Sequence, residues 1–279
     1  MKCFETDLNE HQVNSYLQRI SNYLMMNGGF LQNPGLFSGE MGLALFFARY
    51  AVFRQNELYS EYSFDLIEKI QNSIHQATPI DFKNGLTGIG SAIEYLVQRK
   101  FIKTDTDDIL EELDNNIFSF FKMPHLSLDE LLGIGFYALW RMSGGSVRTN
   151  MIQKKVLPKL VGIVRDRSGS IACEYRTVDF FEKLVETENL DLLNPSVLPP
   201  ALKLCTDQYR YGYEVNRYKR FMEQIPKNEL YDNKALDLGL QNGLAGFGMA
   251  LMTKLDGDDS WLSLLPNDII QLKNEPLPL

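Results

Sequence analysis

The chain has only 3 cysteines in 279 residues, Cys3, Cys173 and Cys205. So small and odd a number builds no disulfide framework and points to reduced thiols in the cytoplasm. Histidine is equally scarce, at 3. There is no excess of basic charge: 28 Lys and Arg stand against 36 Asp and Glu, for a net charge of -8. That balance excludes a general affinity for nucleic acid, which rests on basic surface. Long apolar runs are missing too. The longest, GLALFFARYAVF, is broken by Arg49 and is too short to span a bilayer, so no membrane insertion is expected. The first residues, MKCFETDLNEH, are polar and acidic and do not read as a secretory signal. No nucleophile elbow, phosphate-binding loop or dinucleotide fingerprint is present. Nor is there a convincing run of alternating strand residues.

Glycine, by contrast, recurs in a pattern. SGEMGLALFFARY from Ser38, NGLTGIGSAIEYL from Asn84, DELLGIGFYALWRM from Asp129 and NGLAGFGMALM from Asn242 align on their glycines. Gly42 to Gly88 is 46 residues and Gly88 to Gly133 is 45, a period that signals a repeat architecture. Gly133 to Gly246 is 113, which leaves room for a drifted copy, and NPSVLPPALKLC from Asn194 is the candidate. These glycine-led segments are apolar nearly all round, as buried helices are. Between them lie amphipathic stretches. One carries Phe64, Ile67, Ile70 and Ile74 on a single face, and another Ile109, Leu113, Ile117 and Phe120. SLDE at Ser127 to Glu130 has capping-box spacing and marks a helix start.

Each unit therefore reads as an outer amphipathic helix paired with an inner buried one. The expected fold is all-α, a toroid of roughly six helical hairpins in one domain. That domain runs over 1–279 with a short irregular tail from about 266. The glycines let neighbouring inner helices approach closely and supply an unusual backbone conformation in the entry turn. The helix N-termini would then point exposed N–H groups at a shared central space.

The motifs GLFSGEMGLALFF, NGLTGIGSAI and NGLAGFGMALM resemble those of the lanthionine synthetase C-like family, the lanthipeptide cyclases and their relatives. The resemblance spans about Pro34 to Met252 and is poor between about Ser143 and Leu236. It implies a toroid of paired α-helices. In the catalytic members it implies a central zinc that activates a cysteine thiol for addition to dehydrated serine or threonine. The zinc motif of those members is missing here. Cys173 is followed by Glu174 and Cys205 by Thr206, with no Cys-His pair anywhere, so no metal or other cofactor is expected.

Other candidates are polar residues near the starts of the inner helices: Glu40, Asn84, Asp129, Glu130, Asp237 and Asn242, with Asp81 beside them. Carboxylates converging on a cavity mouth could act as general acid and base on a carbohydrate, in a hydrolase or lyase. The plainer function of such acids is to complement the helix dipole. His125, in MPHLSLDE, is a loop histidine with no identified partner. CTDQYRYGYEVNRYKRF gathers Tyr209, Tyr211, Tyr213, Arg217 and Arg220 on an acidic protein. Tyr and Arg are enriched in binding hot spots, which makes this stretch the candidate contact for a peptide or protein partner. The sequence thus points to a metal-free relative of the cyclases that binds a peptide or partner in ribosomal peptide modification. A carboxylate-dependent hydrolase or lyase and a plain helical-repeat scaffold are the alternatives.

Overall fold

The computed structural model describes residues 9–75, 77–120, 125–168, 175–186, 237–241 and 243–265. The described residues are helical and contain no strand. Among them no helix is long and apolar enough to cross a membrane. The tail from about 266, the repeat candidate at Asn194, and Asn242, Tyr209, Tyr211, Tyr213, Arg217 and Arg220 lie outside the described residues.

The amphipathic stretches form the outer helices. In α1, Glu10–Asn27, the residues Val13, Leu17, Ile20 and Leu24 repeat at helical spacing and are fully buried. Its start is fixed by a reciprocal cap between Asn9 and Gln12. In α3, Glu57–Ser73, the buried stripe is Ser63, Leu66, Ile67 and Ile70. It lies slightly off the expected face, because the Ser63 hydroxyl donates to the Ala44 carbonyl (2.8 Å) and seats α3 on its neighbour. Phe64 is left 44% exposed. The next outer segment is broken at Leu110 into α5, Thr106–Ile109, and α6, Glu111–Phe120. The break re-phases the apolar face: Leu110 is buried in place of Ile109, while Leu113 and Ile117 stay inside. A short α8, Thr149–Met151, widens through one π turn at Ile152–Val156 into α9, Leu157–Ser168.

The glycine-led segments form inner helices buried on nearly all sides. They are α2, Glu40–Arg54; α4, Leu86–Gln98; α7, Leu128–Ser143; and α11, Leu244–Asp256. A further helix, α10, Tyr175–Glu186, packs on α7. The glycine pattern gives no warning of α10, which carries no glycine. The inner helices adjoin in the order α11, α2, α4, α7, α10. On their outer side α1 covers α11, α3 covers α2, α6 covers α4 and α9 covers α7. The N-terminal helix thus packs on the last described inner helix, so the first and last described helices meet.

Two kinds of glycine make this packing possible. Gly39, Gly85 and Gly243 precede α2, α4 and α11 with φ of -122°, -116° and -116°. This is extended backbone open to any residue, so the unusual conformation expected there is not what selects glycine. Space is: a Cβ on Gly85 would overlap the Pro79 carbonyl oxygen of its own entry loop. One or two turns into the helices, Gly248, Gly90 and Gly135 leave notches filled by the rings of Phe46, Tyr137 and Phe180 on the adjoining inner helix. Each glycine costs about 1 kcal/mol of helix propensity. Burying an aromatic ring contributes about 2–3 kcal/mol, enough to offset it.

Candidate functional site

The loops entering the inner helices repeat one hydrogen-bonding scheme. In α2, α4 and α11 the first amide of the helix donates back to the loop carbonyl six residues before the glycine cap. The three pairs are Glu40 to Asn33, Leu86 to Pro79 and Leu244 to Asp237, each 2.8 Å. Met41 donates to Gly35 (3.2 Å) and Gly246 to Gly239 (3.3 Å). The loops also bond to one another: Gln241 N donates to Phe37 O (2.9 Å), and Phe37 N to Lys83 O (2.8 Å). These first-turn donors are therefore taken up within the loops. They do not form the open rim of N–H groups expected from the sequence, and this removes the ordinary basis for anion binding at a helix start.

The side chains singled out from the sequence serve the same scaffold. Asn84 Oδ1 accepts from Asn33 Nδ2 (3.0 Å) and Ser38 Oγ (2.9 Å), tying two entry loops together. Asp81 Oδ1 accepts the amides of Lys83 and Asn84, both at 2.9 Å. Asp237 Oδ1 accepts the Gly239 amide at 2.8 Å. Glu40 is buried against the outer layer, where it pairs with Lys69 of α3. Lys69 also donates to the carbonyls of Gly29 (3.3 Å) and Leu31 (3.2 Å). Tyr62 lies in the same environment. Burial, and then the charges of Glu40 and Asp65, push its hydroxyl above the usual tyrosine value. Glu130 closes the expected capping box on Ser127, with Oε2 accepting the Ser127 amide at 2.7 Å and the Glu130 amide donating to Ser127 Oγ at 3.2 Å. Asp129 is exposed, beside that cap. Of the group, Asn84 is drawn to a neighbouring loop, while Glu40 and Glu130 turn to separate structural partners.

Two polar assemblies carry no motif in the sequence. In the first, the Arg141 guanidinium of α7 is fully buried among three carboxylates. Its Nη1 donates to Glu94 Oε2 (2.6 Å), its Nε to Asp114 Oδ1 (3.2 Å) and its Nη2 to Asp114 Oδ2 (3.0 Å) and to Asp107. The Tyr137 hydroxyl donates to Asp114 Oδ1 (2.6 Å), and Arg148 pairs with Asp114 Oδ2 at 3.0 Å. Asp107 also accepts Ser146 Oγ (2.6 Å) and the Val147 amide (2.8 Å).

Burial pulls the acids upward, and in Glu94 it wins: its carboxyl titrates above the ordinary range despite Arg141. In Asp107 burial also pulls upward, but the opposing bonds from Ser146, Val147 and Arg141 win, and the carboxyl is held low. Burial and Asp114 together raise the Tyr137 hydroxyl well above its usual value. The cluster ties α4, α5, α6 and α7 into one block, a structural role for buried charge.

The second assembly holds the chain after α11. Arg49 of α2 is 3% exposed and donates to Thr253 Oγ1 (3.1 Å), to both Asp256 oxygens (2.8 and 3.0 Å) and to the Asp258 carbonyl (2.6 Å). Asp258 pairs with Arg99, the C-cap of α4, at 2.6 Å. Burial would raise its carboxyl, but Ser260 and the two arginines hold it low. One signal in the sequence does mark both assemblies. Glu94, Arg141 and Arg49 are charged residues inside helices otherwise apolar all round, and such charges must be partnered.

Among the described residues there is no zinc site of the kind that the resemblance implies. His11 and His125 are exposed, and His75 Nδ1 accepts the Ala77 amide at 3.2 Å. Among the described residues no three His, Cys, Asp or Glu side chains group as metal ligands. Cys3, Cys173 and Cys205 lie outside the described residues. No family model, no curated protein and no solved structure matches the chain.

Proposed function

We propose that the chain is an α/α toroid of the lanthionine synthetase C-like type, without the cyclases' zinc centre, that binds a peptide or partner protein in ribosomal peptide modification. The observation that carries the scaffold is the row of notched inner helices that ends where Phe46 of α2 fills Gly248 of α11. A closed ring requires this succession of inner helices with outer partners, and contact between the first and last described helices. The contact of α1 with α11, and of α11 with α2, favours a closed ring over an open superhelix. The metal-free reading rests on the missing Cys-His pair and on the dispersed histidines. The partner reading rests on the resemblance and on the tyrosine- and arginine-rich stretch at 209–220 of an acidic chain. The structural roles of Glu40 and Glu130 favour binding over a carboxylate-dependent hydrolase.

The test is fluorescence anisotropy with a labelled synthetic peptide that carries dehydroalanine and cysteine. Saturable binding in the micromolar range is expected, with the cysteine still open to alkylation after incubation. A peptide that never binds overturns the peptide-modification setting. A cysteine that becomes blocked, with stoichiometric zinc in the purified protein, makes the chain a cyclase instead.

A further inference from the structure

After α11 the chain turns back at Gly257, whose φ of 75° lies in the left-handed region that glycine favours. It then forms a single 3-10 turn, Ser260–Leu264, which packs on α4. Side-chain tethers hold this short piece at the C-terminal ends of several inner helices. Ser260 shares a hydrogen bond with the Tyr95 hydroxyl of α4 (3.0 Å), and Trp261 Nε1 donates to Thr253 Oγ1 of α11 (3.0 Å). Lys183 Nζ of α10 donates to the Ser263 carbonyl (2.7 Å). Arg49 of α2 holds the carbonyl of Asp258, and Arg99, the C-cap of α4, holds its carboxylate. Trp261 is 1% exposed, and Leu262, Leu264 and Leu265 are buried beside it.

The segment thus sits like a bound peptide, with an acidic N-terminal end gripped by arginines and an aromatic-aliphatic body in an apolar seat. Its outer tether is partly open to solvent, for the Arg99 and Asp258 side chains are 43% and 29% exposed. We propose that Asp258–Leu265 is an autoinhibitory strap. It fills a seat that takes peptides of acidic-aromatic-aliphatic character, and it swings out about Gly257 to admit them. This rests on the peptide-binding reading above and gives the class of peptide bound.

The strap is held by side-chain bonds and by the burial of Trp261 and its leucines, with no backbone ladder to the inner helices, so it opens as a unit apart from them. Opening exposes the Trp261 seat together with Arg49 and Arg99, the groups a competing peptide would use. The experiment uses the full chain with Asp258→Ala and Ser260→Ala, and with Arg99→Gln as a milder change that leaves the strap sequence intact. The probe is a labelled synthetic peptide, Asp-Asp-Ser-Trp-Leu-Ser-Leu-Leu, the strap's own sequence.

In both variants, strap amides are expected to exchange hydrogen about tenfold faster or more while α4 and α11 amides keep their protection. The probe is expected to bind the Asp258→Ala, Ser260→Ala chain about tenfold more tightly than the unaltered chain, and a probe with Trp replaced by Ala should not bind. Three outcomes overturn the proposal: exchange that rises equally in strap and helices, a strap that opens without probe binding, or a probe whose tryptophan is dispensable. If the strap probe binds while the dehydroalanine peptide never does, the strap stands and the peptide-modification setting falls. The reverse pair of results leaves that setting and removes the strap.

Discussion

The ring of Phe46 on α2 occupies the notch at Gly248 on α11, and 202 residues of chain separate the two. A methyl group at 248 would overlap that ring, because the ring's own edge is the nearest neighbour a Cβ there would meet. Gly248→Ala is therefore expected to destabilise the protein by about 1–3 kcal/mol, although alanine is the better helix former. Urea unfolding of Gly248→Ala, Phe46→Ala and the double variant checks it. The double variant should lose less than the sum of the two, because removing the ring makes room for the added methyl. Additive losses would mean that the ring and the notch do not work as a pair.

Arg141 stands at the centre of the other long-range connection. Replacing it with Met leaves Glu94 and Asp114, at 1% and 0% exposure, without their buried partner. The expected loss is about 3–5 kcal/mol. Arg148→Gln removes only a more exposed partner of Asp114 and should cost under about 1 kcal/mol. Chemical denaturation of the two variants side by side measures both. Equal losses would show that the cluster is not organised around Arg141.

The glycine spacing makes the inner helices legible, and capping chemistry makes the start of α7 legible at Ser127. The outer helices are legible as elements but not in phase. Ser63 and Leu110 shift their buried faces by amounts that depend on the partner helix, and no single-helix periodicity contains that information. α10 is hidden because its knob, Phe180, fills a neighbour's notch while the helix carries no notch of its own. The candidate polar residues look like one group in the sequence because they share a place in the repeat. Whether Glu40 turns outward to Lys69 or inward is a matter of side-chain packing that the repeat does not encode.

The acid behaviour of the Arg141 cluster divides by residue. Asp107 has a folded value held below its ordinary 3.8, so its contribution is complete above that pH and is lost as pH falls through the folded value. Glu94 has a folded value raised above its ordinary 4.5, so its contribution is present below that pH and is lost as pH rises through the folded value. Glu94→Gln should therefore remove a decline in stability that wild type shows on the alkaline side of pH 4.5. Asp107→Asn should flatten the loss on the acid side of pH 3.8. Thermal unfolding across that range checks both, and a Glu94→Gln curve parallel to wild type would show that Glu94 does not titrate with folding.

Glu130 offers a clean separation of cap from catalyst. In the capping box its carboxylate only accepts from Ser127, a task that a glutamine amide oxygen performs as well. Glu130→Gln is accordingly expected to keep stability within about 0.5 kcal/mol of wild type, while Ser127→Ala costs about 1 kcal/mol. The same Glu130→Gln protein, screened against a carbohydrate library beside wild type, addresses the chemistry. A general acid or base would lose its turnover in the glutamine form, whereas a cap leaves the two proteins alike in every assay. A substrate turned over by wild type and not by Glu130→Gln would move this residue from the scaffold to the reaction.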